Sequence, residues 1–125
     1  PLGRGILTDQ YVNAETVDES DPHYRHPRFN KDNFQANREL ILRVAAYGDK
    51  KGCSPAQLAL AWLIGRGDDI VAIPGTKRAE RLTENAAALG VTLTAGEVEE
   101  ISAMVPVGAA AGERYPEAQM KKVFV

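Results

Sequence analysis

Ile70-Val71-Ala72-Ile73-Pro74-Gly75-Thr76-Lys77-Arg78 is the stretch that decides the fold. Its first four residues are short, mostly β-branched and continuously apolar, the pattern of a parallel strand covered on both faces. Pro74-Gly75 ends that strand, and a helix follows in which Leu82, Ala86 and Leu89 share a face before Gly90. A buried parallel strand cannot stand alone, because its backbone groups need strand partners on both sides. No second strand of this quality occurs in the chain. The partners are therefore expected from an N-terminal portion outside this sequence or from a second chain.

On either side of this stretch the pattern is helical. From about Asp32, Leu40, Ile41, Val44, Ala45 and Tyr47 recur at three-to-four spacing, and Gly48 and Gly52 are expected to close the segment. Ser54-Pro55-Ala56-Gln57 reads as a helix start: Ser54 caps, Pro55 suits the first helical position and Gln57 completes a capping box. Leu58 to Ile64 is apolar nearly all round, with Trp62 expected in the core, and Gly65 and Gly67 stop it. Thr94-Ala95-Gly96-Glu97 is a second capping box, opening a helix through Val98, Ile101 and Met104 that Pro106 ends. The first thirty residues carry loop chemistry without sustained periodicity, and the Ala/Gly-rich tail from 106 is expected to be partly mobile.

A length of 125 residues is room for one modest domain. Fifteen basic against seventeen acidic residues leave a net charge of −2, which argues against a surface built for a nucleic-acid backbone. The longest apolar runs fall far short of the roughly 20 residues that a membrane helix needs. One cysteine, Cys53, excludes an internal disulfide framework and any multi-cysteine zinc site, and fits a reducing, cytoplasmic setting. The chain opens on a glycine-rich turn with no Met and no leader pattern, so it reads as part of a longer protein.

Chemistry concentrates after the expected strand. A strand that feeds a helix through a Gly-containing turn presents backbone N–H groups and the positive helix end at one spot. Thr76 adds a hydroxyl there, and Lys77 and Arg78 add cations that oppose the helix dipole. An anion, most naturally a phosphate, would neutralise them. One turn on, Arg81, Glu84 and Asn85 share a face and offer a flat guanidinium and hydrogen bonds suited to an adenine edge. Nucleotide binding and a solvated face of ordinary ion pairs both account for these residues. Pro1-Leu2-Gly3-Arg4-Gly5 is a second Gly-rich turn whose backbone can approach a pyrophosphate closely. His23 and His26, within a cationic aromatic loop, lack the carboxylate or thiol partners of a metal site. That loop reads as solvated or as facing a substrate. No pair of groups suggests acid–base catalysis; the adjacent Glu99 and Glu100 diverge on their helix.

Pro1-Leu2-Gly3-Arg4-Gly5-Ile6-Leu7-Thr8, Ser54 to Leu63, and Ile73-Pro74-Gly75-Thr76-Lys77-Arg78 with Arg81-Leu82 and Glu84-Asn85 together resemble the aldo-keto reductase family, its bacterial and plant-like branch in particular. Pro27-Arg28-Phe29, Asn33, Asn37 and Gly112-Glu113-Arg114-Tyr115 look like that branch too, so the resemblance runs over essentially the whole chain. It implies an α/β fold, the C-terminal fragment of a (β/α)8 TIM barrel that typically takes about 250 residues. On this reading residues 1–31 are the loop after the seventh strand, 32–105 hold the helices and an eighth strand at about 70–73, and 106–125 are a tail.

The resemblance also implies NADP(H) as cofactor and a small-molecule carbonyl substrate, with the remaining N-terminal part of the barrel as partner. By position, Leu2, Gly3, Arg4 and Gly5 would flank the pyrophosphate. Gly75, Thr76, Lys77 and Arg81 would surround the 2′-phosphate and adenosine, and Glu84 and Asn85 would reach adenine. The family's catalytic Asp, Tyr, Lys and His have no counterpart in these residues, so no catalytic acid is expected here and the isolated chain is expected to be inactive. The alternatives are a non-catalytic NADP-binding or regulatory protein on the same scaffold, a half-barrel that pairs with another chain, and a helical interaction or DNA-binding module, which the near-neutral charge disfavours.

Overall fold

The computed structural model of the chain describes residues 2–123. Pro1 and the apolar end of the tail, 124–125, lie outside the described residues. In chain order the helices are α1 (Asp9–Val12), α2 (Lys31–Lys51), α3 (Pro55–Ile64), α4 (Ala79–Ala87), α5 (Ala95–Met104) and α6 (Glu117–Met120), with single 3-10 turns at Gly3–Gly5, Pro27–Phe29 and Ala88–Gly90.

The long helix α2 organises the rest. Asn30 caps it by accepting from the Asn33 amide at 3.2 Å, and left-handed Gly52 ends it. Gly48 does not close the segment as expected but lies inside the helix, buried. The buried positions Phe34, Asn37, Ile41, Val44 and Tyr47 recur every three or four residues, so one stripe faces the core along the helix. Its first half packs with Tyr11, Val17 and Phe29, and its second half with Leu58 of α3 and Ile101 of α5. Phe29, Phe34, Leu58 and Leu60 are fully buried, and each such side chain contributes about 1.5–3 kcal/mol of transfer free energy. The segment before α2 is thus more than loop. It contributes Tyr11, Val17 and Phe29 to the core.

Both capping boxes form. Ser54 and Gln57 cap α3 reciprocally, and Thr94 and Glu97 do the same for α5. Helix α5 is fastened to α2 by the Lys51–Glu97 pair at 2.8 Å and by the Tyr47 hydroxyl donating to Glu100 at 3.0 Å. Trp62 is partly rather than fully buried; its indole N–H donates to Ser102 Oγ at 2.9 Å and to the Val98 carbonyl at 3.2 Å.

The expected strand is the main correction. Among the described residues there is no β-strand, and residues 70–73 form an irregular segment. Val71 is 81% exposed and Ile73 83% exposed. The physical reason is the one that made the stretch conspicuous: a ladder needs neighbouring strands, and the described chain supplies none. The apolar stripe running from α4 into the 3-10 turn after it is uncovered as well, with Leu82 and Leu89 both exposed. Within the tail, buried Asn37 exchanges hydrogen bonds with both backbone groups of Ala111, at 2.7 and 3.0 Å. No helix among the described residues is long and apolar enough to cross a membrane.

Candidate functional site

Two turns far apart in sequence meet across one open cleft of about 540 Å³. One wall is Leu2, Gly3, Arg4 and Gly5. The other is Pro74, Gly75 and Thr76 with Arg78, Arg81, Glu84 and Asn85. Every binding residue singled out from the sequence therefore lines this cleft except Lys77, which is exposed and does not line it. Arg78, a cation of the helix start that the sequence does not single out for binding, lines it instead.

The first wall has an unusual backbone. Gly3, Arg4 and Gly5 are three successive residues with positive φ (58°, 62° and 88°). The turn is held by the Gly5 amide donating to the Leu2 carbonyl at 3.0 Å and by the buried Thr8 hydroxyl donating to the Gly5 carbonyl at 2.7 Å. At the second wall the Thr76 hydroxyl accepts from the Arg78 amide at 3.2 Å. Arg78 caps α4 without a side-chain hydrogen bond, so the first amides of this nine-residue helix lack an internal partner. Glu84 is tied back to α3: Ser54 Oγ donates to Glu84 Oε1 at 2.6 Å, and Gln57 Nε2 donates to the Glu84 carbonyl at 3.1 Å.

Tyr11 and His23 also line the cleft, and sequence reasoning did not connect them. The Tyr11 hydroxyl donates to Asp21 Oδ2 at 3.0 Å and lies 2.8 Å from His23 Nδ1; Asp21 Oδ1 in turn accepts from the His23 amide at 2.7 Å. Burial, then the Asp21 hydrogen bond and charge, drive the Tyr11 hydroxyl well above the ordinary phenol range. Tyr11 therefore keeps its proton and braces the loop. His23 reaches the cleft while His26 does not line it. Only the Asp21–His23 proximity had any sequence signal, a short polar turn beside Pro22; Tyr11 is brought in by tertiary packing against Phe29, ring to ring at 5.1 Å.

The cleft's donors suit an anion. Arg4, Arg78 and Arg81 converge on it, Gly75 has open space where a side chain would stand, and the volume lies in the ordinary range for small-molecule sites. No group of three or more metal-ligating side chains occurs among the described residues. Cys53 lies outside the cleft lining, and burial pushes its thiol up, against the lowering that a helix start suggests.

Comparison with known proteins agrees with the geometry in kind. The Aldo/keto reductase family profile matches residues 1–106. An aldo-keto reductase of Schizosaccharomyces pombe, yakc, named for NADP(+), is 41% identical over 125 residues, covering 100% of this chain and 37% of its own length. A probable aldo-keto reductase 1 of Glycine max is 40% identical over 115 residues, 92% of this chain and 33% of its own. Aldo-keto reductase str7 of Strobilurus tenacellus is 33% identical over 114 residues, 91% of this chain and 34% of its own. The chain thus spans about a third of the length of these curated relatives.

Proposed function

The chain belongs to the aldo/keto reductase family, and we propose that it supplies the NADP(H)-holding cleft of a longer (β/α)8 barrel that reduces aldehydes or ketones to alcohols. The observation that carries this reading is the convergence of two Gly-containing turns and three arginines on one cleft.

The division of labour follows from the donors. The left-handed Gly3-Arg4-Gly5 turn lets backbone approach a diphosphate, and Arg4 adds charge beside it. Thr76, Arg78, Arg81 and the open amides of α4 hold the 2′-phosphate, with exposed Lys77 adding longer-range attraction beside them. Glu84, aimed by Ser54, and Asn85 meet the adenine end. Charge-assisted hydrogen bonds contribute about 1.5–3 kcal/mol each, enough to set a preference for the phosphorylated dinucleotide. Bound NADPH supplies the hydride that reduces the carbonyl carbon. The proton donor belongs to the N-terminal part of the barrel, where the resemblance to the family puts the catalytic Asp, Tyr, Lys and His.

The test is NADPH oxidation by the complete barrel with a panel of small aldehydes and ketones. Carbonyl-dependent turnover that prefers NADPH to NADH is the expected result. NADPH binding without turnover of any carbonyl would favour a non-catalytic binding protein, and absence of binding would overturn the reading.

A further inference from the structure

Arg4 is the one non-glycine residue with a positive φ among the described residues, at 62°. Its neighbours Gly3 and Gly5 adopt such angles freely, whereas an arginine there is strained. A third glycine would relieve that strain, so the arginine side chain has work at this position. Its guanidinium carbon lies 4.2 Å from the centroid of the Tyr115 ring, within cation–π range, and that of Arg114 lies 5.8 Å from the same ring.

Tyr115 comes from the opposite end of the chain and is delivered by a firm anchor. Asn37, 3% exposed, donates to the carbonyls of Ala111 and Arg28 and accepts from the Ala111 amide. Arg28 Nε donates to the Gly112 carbonyl at 3.3 Å. Gly112 has φ 82°, and a Cβ there would stand 2.9 Å from the Pro27 backbone, so glycine alone lets the tail lie this close. Three residues beyond this anchor, Tyr115 lies against Arg4, which lines the cleft, without lining it itself.

We propose that Tyr115 is a positioning residue that clamps the Arg4 guanidinium and so holds the Gly3-Arg4-Gly5 turn ready for a diphosphate. This deepens the dinucleotide reading and rests on it. The clamp acts before any ligand arrives, and its loss loosens the turn as well as weakening binding.

The experiment compares Tyr115→Ala, Tyr115→Phe, Arg4→Ala and the Arg4→Ala/Tyr115→Ala double variant of the complete barrel. It reads the NADPH Kd and, without cofactor, hydrogen exchange of the residue 2–8 amides. Tyr115→Ala is expected to raise the Kd about fivefold to tenfold and to speed exchange in the turn, while Tyr115→Phe, which keeps the ring, stays within about twofold. In the Arg4→Ala background Tyr115→Ala adds nothing. Wild-type Kd and exchange in Tyr115→Ala, equal loss in Tyr115→Phe, or the same loss with Arg4 already removed would each overturn the clamp. If wild type binds no NADPH, the dinucleotide reading falls, and the exchange comparison still decides whether Tyr115 holds the turn.

Discussion

Ser54 Oγ donates to Glu84 Oε1 at 2.6 Å while accepting from the Gln57 amide, so one hydroxyl both caps α3 and fixes a cleft carboxylate 30 residues away. Cap and site are thereby coupled. Ser54→Ala removes both contacts and is expected to cost about 0.5–2 kcal/mol of stability from the cap. It should also raise the NADPH Kd, by an amount that shrinks when Glu84 is already Gln. Chemical unfolding and a double-mutant binding cycle on the complete barrel check this. Independent effects of the two substitutions would refute the coupling.

Asn37 is the buried polar centre of the tail anchor. Asn37→Leu leaves the Ala111 amide and carbonyl and the Arg28 carbonyl without their partner. A loss of at least about 1–3 kcal/mol is expected, as for unsatisfied buried groups generally. Denaturant midpoints measure it, and proteolysis should cut the tail faster near Ala111. A near-neutral substitution would contradict the anchor.

Acidification supplies a third test. Burial, then the charges of Arg4, Arg25 and His23, hold the His26 imidazole below the ordinary histidine range, and its Nδ1 is buried without a hydrogen-bond partner among the described residues. The folded state thus resists a proton that the unfolded state accepts. Stability from neutral His26 is fully present above the unfolded value of about 6.5 and declines as pH falls through it toward the lower folded value. Urea midpoints measured across that range should fall less steeply for His26→Gln than for wild type. Glu97 works in a lower window: the Lys51 hydrogen bond, with help from Thr94, holds its carboxyl low, so its contribution is lost only as pH falls below the ordinary carboxylate range. Identical profiles for wild type and His26→Gln would contradict the assignment.

Much of this was legible in the sequence, and the failures share a cause. Ser54 with Gln57 and Thr94 with Glu97 announced their helices because a capping box is local chemistry. The residues at 2–5 and 75–85 stood out by their glycines and cations, but those residues fitted a solvated face equally well, and only the family resemblance favoured a binding role. Lys77 and Arg78 alternate around the turn, and sequence alone did not say which faces the cleft. Ile70 to Ile73 misled because a strand is a relation between segments: the apolar pattern was correctly read, and the partners it requires are not in the described chain. Tyr11 with His23, and Arg4 with Tyr115, were invisible for the same reason. Each pair is made by tertiary packing over sequence separations that no local pattern encodes.

The exposed position of Lys77 gives a graded prediction. Lys77→Ala should weaken NADPH binding modestly, by about threefold or less, and the loss should fade as salt is raised, as screening of an exposed charge requires. Arg78 is exposed too but lines the cleft, so Arg78→Ala should cost more. Titrations at low and high ionic strength distinguish them, and a dominant, salt-insensitive Lys77 effect would move the phosphate outside the cleft.

The central claim, that this chain grips the phosphates of NADP(H), is tested most directly by the Kd of NADPH and of NADH for the complete barrel with and without Arg81→Ala. Arg81 lines the cleft on the first turns of α4, beside Thr76 and Arg78. A loss of about tenfold or more for NADPH with little change for NADH is the predicted result. Equal affinity for NADPH before and after the substitution would contradict it.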